Sequence, residues 1–259
     1  MASTWGHVAR RSEQPDNDPA LGSFDPLHHP PKSFPAEEWS WFSARCAALG
    51  IPDPEARRAT LEALYGHLVG VNRWLNLTTL TSPREYLKSH VLDSLTIESD
   101  NRMKHLSEGA PCVDLGSGGG YPGLPLSLWH ATVPWVLCDA RRKKAEFLAS
   151  AAQLAGTRVS ARHVNGAKCQ HEAPELYLSC QLVVSRAMGS MDTVLSESVP
   201  FLQKTGHVVL YVGPTVTSES RAGANKTAGH LGLRLVNARS VRLEDADPER
   251  HLVIFQRVF

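Results

Sequence analysis

The chain has 259 residues, with 42% hydrophobic and 20% charged side chains and a formal net charge of +1 at pH 7. This composition predicts a globular protein with a sizeable core, and the length fits one large domain or one domain with an appendage. The small net charge does not indicate a strongly basic nucleic-acid binder, so local charge is more informative than the total.

Membrane and metal signatures are missing from the sequence. No apolar stretch approaches the ~20 residues that a helix needs to cross a bilayer, and no apolar run follows Arg10 and Arg11. We therefore expect neither a membrane span nor a secretory signal. The five cysteines form no CxxC pair and the twelve histidines form no HExxH pair. We expect no metal site and a reducing compartment, the cytoplasm.

The first part of the chain carries helical patterns only. Residues 1–36 are rich in proline, aspartate, histidine and serine without apolar periodicity, which predicts a disordered extension. Residues 37–108 are predicted to form a helical cap with helices over 37–49 and from about residue 54. Ser82 to Glu85 form a capping box that begins a third helix, which runs toward His90.

Residues 109–259 change to strands that alternate with helices. This alternation predicts an α/β fold, Rossmann-like, with a mainly parallel sheet. The last two strands have no helical pattern between them, so we expect a terminal antiparallel strand pair. Residues 215–229, rich in serine, threonine, glycine and alanine, are predicted to be a mobile loop. The predicted strands are 112–115, 133–138, 159–164, 182–185, 207–212, 231–236 and 252–256.

A glycine-rich loop follows the first strand of this domain. Gly116, Gly118, Gly119 and Gly120 lie within five positions, where the missing Cβ atoms let the backbone approach a ligand closely. The second strand ends at Asp139, about 20 residues beyond the loop, where a carboxylate accepts hydrogen bonds from ribose hydroxyls. The pattern predicts a site for a nucleotide-like cofactor; the alternative is an ordinary turn beside a surface aspartate.

The same loop distinguishes between two cofactors. Gly118, Gly120 and Gly123 formally match the dinucleotide fingerprint, which leaves a nicotinamide-dependent oxidoreductase as an alternative. However, Pro122 has no N–H to offer a pyrophosphate at the helix start. Asp114, two residues before the first glycine, suits the cationic sulfonium and ammonium of S-adenosylmethionine better than a diphosphate. We therefore predict an S-adenosylmethionine-dependent methyltransferase.

Several stretches, in the same order from about Trp39 to the end, resemble one protein family. That family is RsmG, also called glucose-inhibited division protein B, the 16S rRNA guanine-N7 methyltransferases. The glycine loop alone indicates only a methyltransferase, whereas the other stretches are more specific. They are Asn76-Leu77-Thr78, His90-Val91-Leu92-Asp93-Ser94-Leu95, residues 114–125 (DLGSGGGYPGLP), Asp139 with Lys143, Lys144, Phe147 and Leu148, Ser185-Arg186-Ala187, and Arg250-His251-Leu252-Val253-Ile254.

The resemblance implies the class I S-adenosylmethionine-dependent methyltransferase fold and a set of residues at the cofactor. It implies that Gly116 and Tyr121 contact the cofactor and that Asp139 lies near its ribose. It also implies that Arg186 lies near both the cofactor and the opening through which the target base enters; the alternative is that Arg186 is a structural ion-pair partner. Ala167 and Lys168 are implied to border the adenine. Asp114 and Gly118 complete the predicted set, and no catalytic residue is assigned.

The implied substrate is 16S rRNA or the assembling small ribosomal subunit, and we expect a monomer. N7 of guanine already presents a lone pair, so positioning the two reactants is the main task of such an enzyme. The cationic run 141–144 is either a phosphate-binding patch or a solvated helix start, and Arg57, Arg58 and Arg73 are further candidates.

The sequence departs from the family at two places. Val212 replaces the family's lysine in a Leu-Lys-Gly motif, and Lys168 replaces a usual acidic residue. The missing lysine leaves open a non-catalytic RNA-binding protein that keeps the fold. His90 and Asp93, one helical turn apart, brace the cap against the sheet or take part in the reaction.

Overall fold

The structure, a computed structural model, describes residues 20–186, 189–214 and 216–259. Its first part is helical, as predicted. Helix α1 begins directly after Pro35, and the Ser82 capping box starts α3, with the Ser82 side chain accepting from the backbone of Glu85. The elements in chain order are α1 (Ala36–Ala48), α2 (Arg58–Asn72), α3 (Pro83–Glu85), a π-helix (Tyr86–Leu92) and α4 (Asp93–Leu95).

The described part of the expected disordered extension is packed against the cap. Asp25 caps a 3₁₀ helix at Pro26–His28, and both His29 and Phe34 are buried. The rings of Phe34 and Tyr65 stack with centroids 5.4 Å apart. The expectation of disorder therefore does not fit residues 20–36, where the buried rings of His29 and Phe34 pack against the cap. Residues 1–19 lie outside the described residues.

Seven strands form one sheet in the order β3-β2-β1-β4-β5-β7-β6. Only β7 runs antiparallel to its two neighbours among these strands. This arrangement confirms the predicted mainly parallel α/β sheet with its antiparallel pair at the end. The strands are β1 (Cys112–Leu115), β2 (Trp135–Asp139), β3 (Val159–His163), β4 (Cys180–Arg186), β5 (Leu202–Val212), β6 (Leu233–Val241) and β7 (Arg250–Arg257).

Helices cover both faces of the sheet, which is why its central strands are buried on both sides. The cap packs on one face together with α5 (Gly123–Trp129) and α6 (Arg142–Ala155), through a cluster that includes Trp135 and Phe147. The other face carries α7 (Cys169–Glu172), α8 (Met191–Ser198) and α9 (Ser218–His230), packed around Phe201 and Phe255.

Helix α9 corrects the expectation of a mobile loop over 215–229. Thr217 caps this helix by accepting a hydrogen bond from the backbone N–H of Ser220. Ala224 and Ala228, one turn apart, are buried against the second core cluster. The sequence pattern missed the helix because its buried face consists of small alanines rather than large apolar side chains. Thr215 itself lies outside the described residues.

The strand order places a crevice between the loops that follow β1 and β4, where the connections diverge to opposite sides of β1. In open α/β sheets, ligands bind at the carboxyl ends of the strands at this switch point. Within the described ranges, no helix is long and apolar enough to cross a membrane.

Candidate functional site

The loop after β1 is shaped by three glycines with positive φ. Gly116 has φ 72°, Gly118 has φ 58° and Gly120 has φ 97°, values that residues with side chains rarely adopt. Asp114, at the end of β1, holds both ends of the loop. Its Oδ2 accepts hydrogen bonds from Ser117 Oγ at 2.6 Å and from the Gly123 N–H at 2.7 Å.

Asp114 lies behind the loop and is fully buried. Burial raises the pKa of its carboxyl to about 6, although its hydrogen bonds to Ser117 and Gly123 act in the opposite direction. Oδ1 of Asp114 is buried and has no hydrogen-bond partner among the described residues. The structure thus gives this carboxylate a role in bracing the loop, and one oxygen remains available to a cationic or N–H group.

A cavity of about 400 Å³ opens in front of the loop. Asp139, at the end of β2, lies in its wall and is 7% exposed. Its Oδ2 accepts from the Gly118 N–H at 3.0 Å and its Oδ1 from the Arg141 N–H at 2.8 Å. Each carboxylate oxygen has a further lone pair, so ribose hydroxyls can still donate to Asp139. The other lining residues are Leu115, Gly116, Gly118, Ala140, Arg141, Lys144, Val164, Asn165, Gly166 and Glu197.

The segment that the family resemblance places beside the adenine lies at this cavity, but residues other than the expected ones line it. Ala167 and Lys168 are exposed, and Lys168 pairs with Glu172 at 3.9 Å. Their neighbours Asn165 and Gly166 line the cavity instead. A Cβ on Gly166 would lie 2.7 Å from Cβ of Glu197, so only glycine lets this turn approach α8.

The predicted cofactor residues did not include several of the lining side chains, among them the polar Arg141, Lys144, Asn165 and Glu197. Lys144 was considered only as a phosphate contact. Asn165 carries a local signal, since its side chain caps the short helix Gly166–Lys168 by accepting from the Ala167 N–H. Glu197 reaches the cavity from α8, and no spacing in the sequence indicates that contact.

Tyr121 is buried beside the glycine loop rather than in the cavity wall. Its ring stacks on His90 of the π-helix, with centroids 4.5 Å apart and planes inclined by 13°. Nε2 of His90 lies 3.1 Å from Thr78 Oγ1, and its Nδ1 lies 3.5 Å from Nη2 of Arg186. Because Arg186 can only donate, Nδ1 accepts and Nε2 carries the proton. Burial, and next the charge of Arg186, lower the pKa of His90 to about 4.

Arg186, at the end of β4, joins the cap to the sheet. Its Nη1 donates to Asp93 Oδ2 and to the Ser89 carbonyl, each at 2.7 Å. Its Cζ lies 5.6 Å from the centroid of the Tyr121 ring. Asp93 Oδ2 also accepts from Nη1 of Arg250 at 3.1 Å. Of the Ser-Arg-Ala motif, Ala187 lies outside the described residues.

These side chains line a second cavity of about 260 Å³ at the same edge of the sheet. It lies where β4 and β5 end and β7 begins, next to the π-helix. Val212, which stands in place of the family's lysine, is in its wall and pairs with His251 of β7. The full lining is Leu80, Ser89, His90, Asp93, Thr96, Arg186, Tyr211, Val212, Gly213, Val241, Arg250, His251 and Leu252.

Some of the basic residues predicted to bind phosphates are paired with carboxylates, whereas others are exposed. Arg57 pairs with Asp53 at 3.1 Å, and Arg58 pairs with Glu62 at 3.2 Å. In the run 141–144, Arg141, Arg142 and Lys143 are exposed at the start of α6. The side chain of Arg142 is 76% exposed, and its contact with Glu146 is 3.6 Å long. The run at α6 is therefore the better candidate.

Cavity size alone does not identify the functional site. A cavity of about 610 Å³ lies at the opposite edge, near the first residues of β4 and β5, lined in part by Arg102, Gln181 and His207. It is remote from the glycine loop, Asp139 and Arg186. Across residues 20–186, 189–214 and 216–259, no three histidine, cysteine or acidic side chains are grouped as they would be to hold a metal ion.

The first cavity fits S-adenosylmethionine. The carboxylate of Asp139 suits a ribose, and a Cβ on Gly118 would meet no atom closer than Lys144 Nζ at 3.8 Å, so the loop leaves its front open. The unpartnered Oδ1 of Asp114 is an acceptor close to where the loop begins. A cavity of this size is in the usual range for a small-molecule site.

Comparison with known proteins agrees with this site. The family model described as rRNA small subunit methyltransferase G matches residues 57–252. A ribosomal RNA small subunit methyltransferase G of Sorangium cellulosum is 37% identical over 232 residues, which cover 85% of this chain and 94% of the relative. A protein of the same name from Deinococcus deserti is 34% identical over 188 residues, covering 72% and 75%. None of these names is that of an oxidoreductase.

Solved structures with low sequence identity share the fold alone. A SAM-dependent methyltransferase of Methanosarcina mazei matches with a TM-score of 0.50 at 13% identity, over 62% of this chain and 98% of that chain. The branched-chain polyamine synthase of Thermus thermophilus matches with a TM-score of 0.52 at 13% identity, over 69% and 58%. These structures confirm the predicted fold, and the family model with the sequence relatives confirms the predicted methyltransferase and its cofactor, S-adenosylmethionine. The chain belongs to the rRNA small subunit methyltransferase G family.

Proposed function

We propose that this chain transfers the methyl group of S-adenosylmethionine to N7 of a guanine in 16S rRNA. The observation that carries the proposal is the placement of two cavities at the carboxyl edge of the sheet. One contains Asp139 and the glycine loop, and the other is lined by Arg186 and Arg250. Arg186 lines the second cavity and also lies beside Tyr121 at the loop, so it joins the two.

The titratable groups of the second cavity suit an acceptor that has no proton to lose. Both nitrogens of His90 are engaged, and Asp93 is bound by two guanidiniums. His251 Nδ1 is 3.1 Å from Ser240 Oγ. A general base must reach the proton that it removes, and His90 and Asp93 are already occupied. N7 of guanine offers a free lone pair, so its methylation requires no such base.

The residues of the chain act by binding and orientation. When bound, the cofactor supplies a methyl group activated on a sulfonium. Asp139 holds the ribose, Gly116 and Gly118 allow close approach of the loop backbone, and Asn165 and Gly166 border the base. Asp114 braces the loop from behind, and Tyr121 with His90 forms a rigid wall behind the loop. Holding two reactants in line accounts for a large part of the rate of such a transfer.

The proposal extends to the partner and the location of the protein. The partner is 16S rRNA or the assembling small ribosomal subunit, met as a monomer in the cytoplasm, where ribosomal subunits assemble. A base within a structured RNA must be unstacked to enter a cavity, which single-stranded loops permit. The exposed cations at the start of α6 support a role in binding the phosphates around that loop.

The test is transfer of labelled methyl from S-adenosylmethionine to small-subunit rRNA that lacks its own modification. The RNA is supplied deproteinised in one arm and as small subunits in the other. We expect label on a guanine N7 in at least one arm. Binding of S-adenosylhomocysteine without label in either arm would favour the non-catalytic RNA-binding alternative. Label on another atom would contradict the proposed acceptor.

Two matched variants control this experiment. Gly116→Asp puts a carboxylate into the cavity at a residue whose φ is 72°, and we expect loss of both cofactor binding and transfer. Gly109→Asp puts the same side chain at an exposed glycine where a Cβ would meet only Ser107 Oγ at 3.6 Å, and transfer should persist. Thermal unfolding of both variants separates loss of the site from loss of the fold.

A further inference from the structure

Two guanidiniums share one buried carboxylate oxygen in the second cavity. The side chain of Asp93 is 4% exposed, and its Oδ2 accepts from Arg186 at 2.7 Å and from Arg250 at 3.1 Å. His90 adds no charge at neutral pH, because burial lowers its pKa to about 4. The cluster of Asp93, Arg186 and Arg250 therefore leaves one positive charge in the wall of the cavity.

The two arginines have different surroundings. Arg186 is 17% exposed in its side chain, is fixed by the Ser89 carbonyl as well as by Asp93, and lies beside Tyr121. Arg250 is 36% exposed, and its side chain makes one hydrogen bond within the described part of the chain, to Asp93. Arg250 therefore retains N–H donors for a ligand, whereas Arg186 is largely committed to the junction with the glycine loop.

The rest of the cavity wall suits a flat ring better than a phosphate. Leu80, Val241 and Leu252 are apolar, and Tyr211 is fixed because its hydroxyl donates to the Ser94 carbonyl at 2.6 Å. A phosphate bound here would be surrounded largely by hydrocarbon, which costs more than the same contact at the surface. A purine with one acceptor atom facing Arg250 satisfies both the apolar wall and the spare charge.

Guanine has that acceptor next to the atom that reacts. On its Hoogsteen edge guanine presents O6 and N7, whereas adenine presents the N6 amino donor beside N7. Arginine often binds O6 and N7 together, but an N7 that accepts a methyl group must keep its lone pair free. A guanidinium in this cavity can therefore bind O6 only, and it would oppose the amino group of adenine.

We propose that Arg250 donates a hydrogen bond to O6 of the acceptor guanine and so selects guanine over adenine. Asp93 is a positioning residue: its carboxylate orients Arg250. The same carboxylate also binds Arg186, which lies beside Tyr121 at the glycine loop. This inference rests on the proposed function, guanine-N7 methylation, and adds the residue that recognises the base.

The test compares two acceptors that differ at O6. In one rRNA the methylated position holds guanine, and in the other it holds 2-aminopurine, which keeps N7 and the 2-amino group but lacks O6. The quantity measured is kcat/KM for methyl transfer by the wild type and by Arg250→Ala. We expect Arg250→Ala to cost roughly 10- to 100-fold with guanine, the usual loss for a hydrogen bond to a charged group. With 2-aminopurine we expect little further loss.

Three further variants define the roles. Arg250→Lys keeps a charge and a donor, and should retain part of the preference for guanine. Asp93→Asn should reduce that preference in the same way as Arg250→Ala, and the double variant should reduce it no further. Arg242→Ala removes an exposed cation that pairs with Glu249 outside the cavity, and it should behave as wild type. The dissociation constant of S-adenosylhomocysteine for Arg250→Ala should stay within the error of the wild-type value.

The possible failures can be told apart. An equal loss with guanine and 2-aminopurine would overturn the inference, because Arg250 would then serve a phosphate contact or the fold. Wild-type protein that modifies no guanine N7 would overturn the proposed function, and the inference with it. A wild-type enzyme that methylates guanine and 2-aminopurine equally well would overturn the inference alone.

Discussion

Two carboxylates at the glycine loop have distinct roles although the sequence places both at strand ends. Asp114 is completely buried and binds the two ends of the loop, and burial raises the pKa of its carboxyl to about 6. Asp139 uses one lone pair on each oxygen to hold the loop and the start of α6, and still faces the cavity. The loop is thus fixed before any ligand binds, which lowers the entropic cost of binding.

A buried histidine makes the stability of the folded protein depend on pH. His67 Nε2 donates to Ser150 Oγ at 2.7 Å, because the Ser150 hydroxyl itself donates to the Phe147 carbonyl, and the His67 ring stacks on Phe147 with centroids 5.2 Å apart. Burial, and next the charge of His29, lower the pKa of His67 to about 4, although Asp25 acts in the opposite direction. Between pH 6.5 and 4 the unfolded chain therefore binds a proton that the folded chain does not, and stability must fall as pH falls.

His67→Phe tests this dependence. Phenylalanine keeps the stacking on Phe147, and Ser150 keeps its bond to the Phe147 carbonyl. We expect the drop in Tm between pH 7.5 and pH 5 to be smaller in the variant, since a single histidine contributes up to about 1.4 kcal/mol per pH unit. The raised pKa of Asp114 makes stability rise as pH falls, but this effect is the same in both proteins and cancels in the comparison. The same drop in both proteins would show that His67 takes up its proton in the folded state.

At the residue scale, the sequence predicted which segments lie at the site better than it predicted which side chains of those segments face the cavity. Gly116, Gly118 and Asp139, predicted at the cofactor, line the first cavity, because a strand, a glycine loop and a second strand fix their positions locally. Ala167 and Lys168 were predicted at the cavity, but the structure turns them outward and brings in Asn165 and Gly166. A one- or two-residue shift in a short 3₁₀ turn changes which side chains face inward, and no periodicity reports such a shift.

At the scale of elements, α9 offers a direct test of helix against loop. Gly223 lies in the interior of α9, is exposed, and has no atom within 4 Å of a Cβ built on it. We expect Gly223→Ala to raise the free energy of unfolding by about 0.5 to 1 kcal/mol, because alanine loses less backbone entropy in a helix. Gly223→Pro should lower it by about 3 kcal/mol or more, because proline removes a helical hydrogen bond. Urea denaturation measures both, and a tolerated proline would mean that the segment is a loop.

The remaining helices could be predicted where their apolar residues are large and regularly spaced, as in α2 with Leu61, Leu64 and Leu68 buried. The π-helix could not be predicted, because a local change of hydrogen-bond register leaves no mark in composition. The π-helix lies at the candidate site, because it carries Ser89 and His90, both of which contact Arg186. Helical irregularities of this kind are frequent at functional sites.

The whole molecule is held together at its second cavity by residues that are distant in the sequence. Asp93 is 93 residues from Arg186 and 157 residues from Arg250. The cap supplies the carboxylate and the sheet supplies both cations, so the second cavity forms only when the cap is packed on the sheet. The sequence indicated that His90 and Asp93 either brace the cap or serve the reaction; in the structure the bracing side chains themselves form the cavity wall.

The distribution of charge over the whole molecule predicts one surface for RNA. Arg142 and Lys143 are exposed beside the first cavity, whereas Arg141 lines that cavity and is left unaltered. We expect the double substitution Arg142→Glu and Lys143→Glu to weaken RNA binding and to leave the affinity for S-adenosylhomocysteine unchanged. The slope of log K against log salt concentration should become shallower by roughly 0.7 for each phosphate that the variant no longer neutralises.

The control for this prediction has the same change in charge on other elements. Lys226 of α9 and Arg234 of β6 are exposed, and neither lines the two cavities of the proposed site. Lys226→Glu with Arg234→Glu therefore changes the net charge equally but leaves the start of α6 intact. If both double variants lose the same affinity and the same salt slope, the protein attracts RNA through its overall charge. A loss confined to the double variant at Arg142 and Lys143 means that the start of α6 binds the phosphates. These cations would then lie close enough to the first cavity to position a base for transfer.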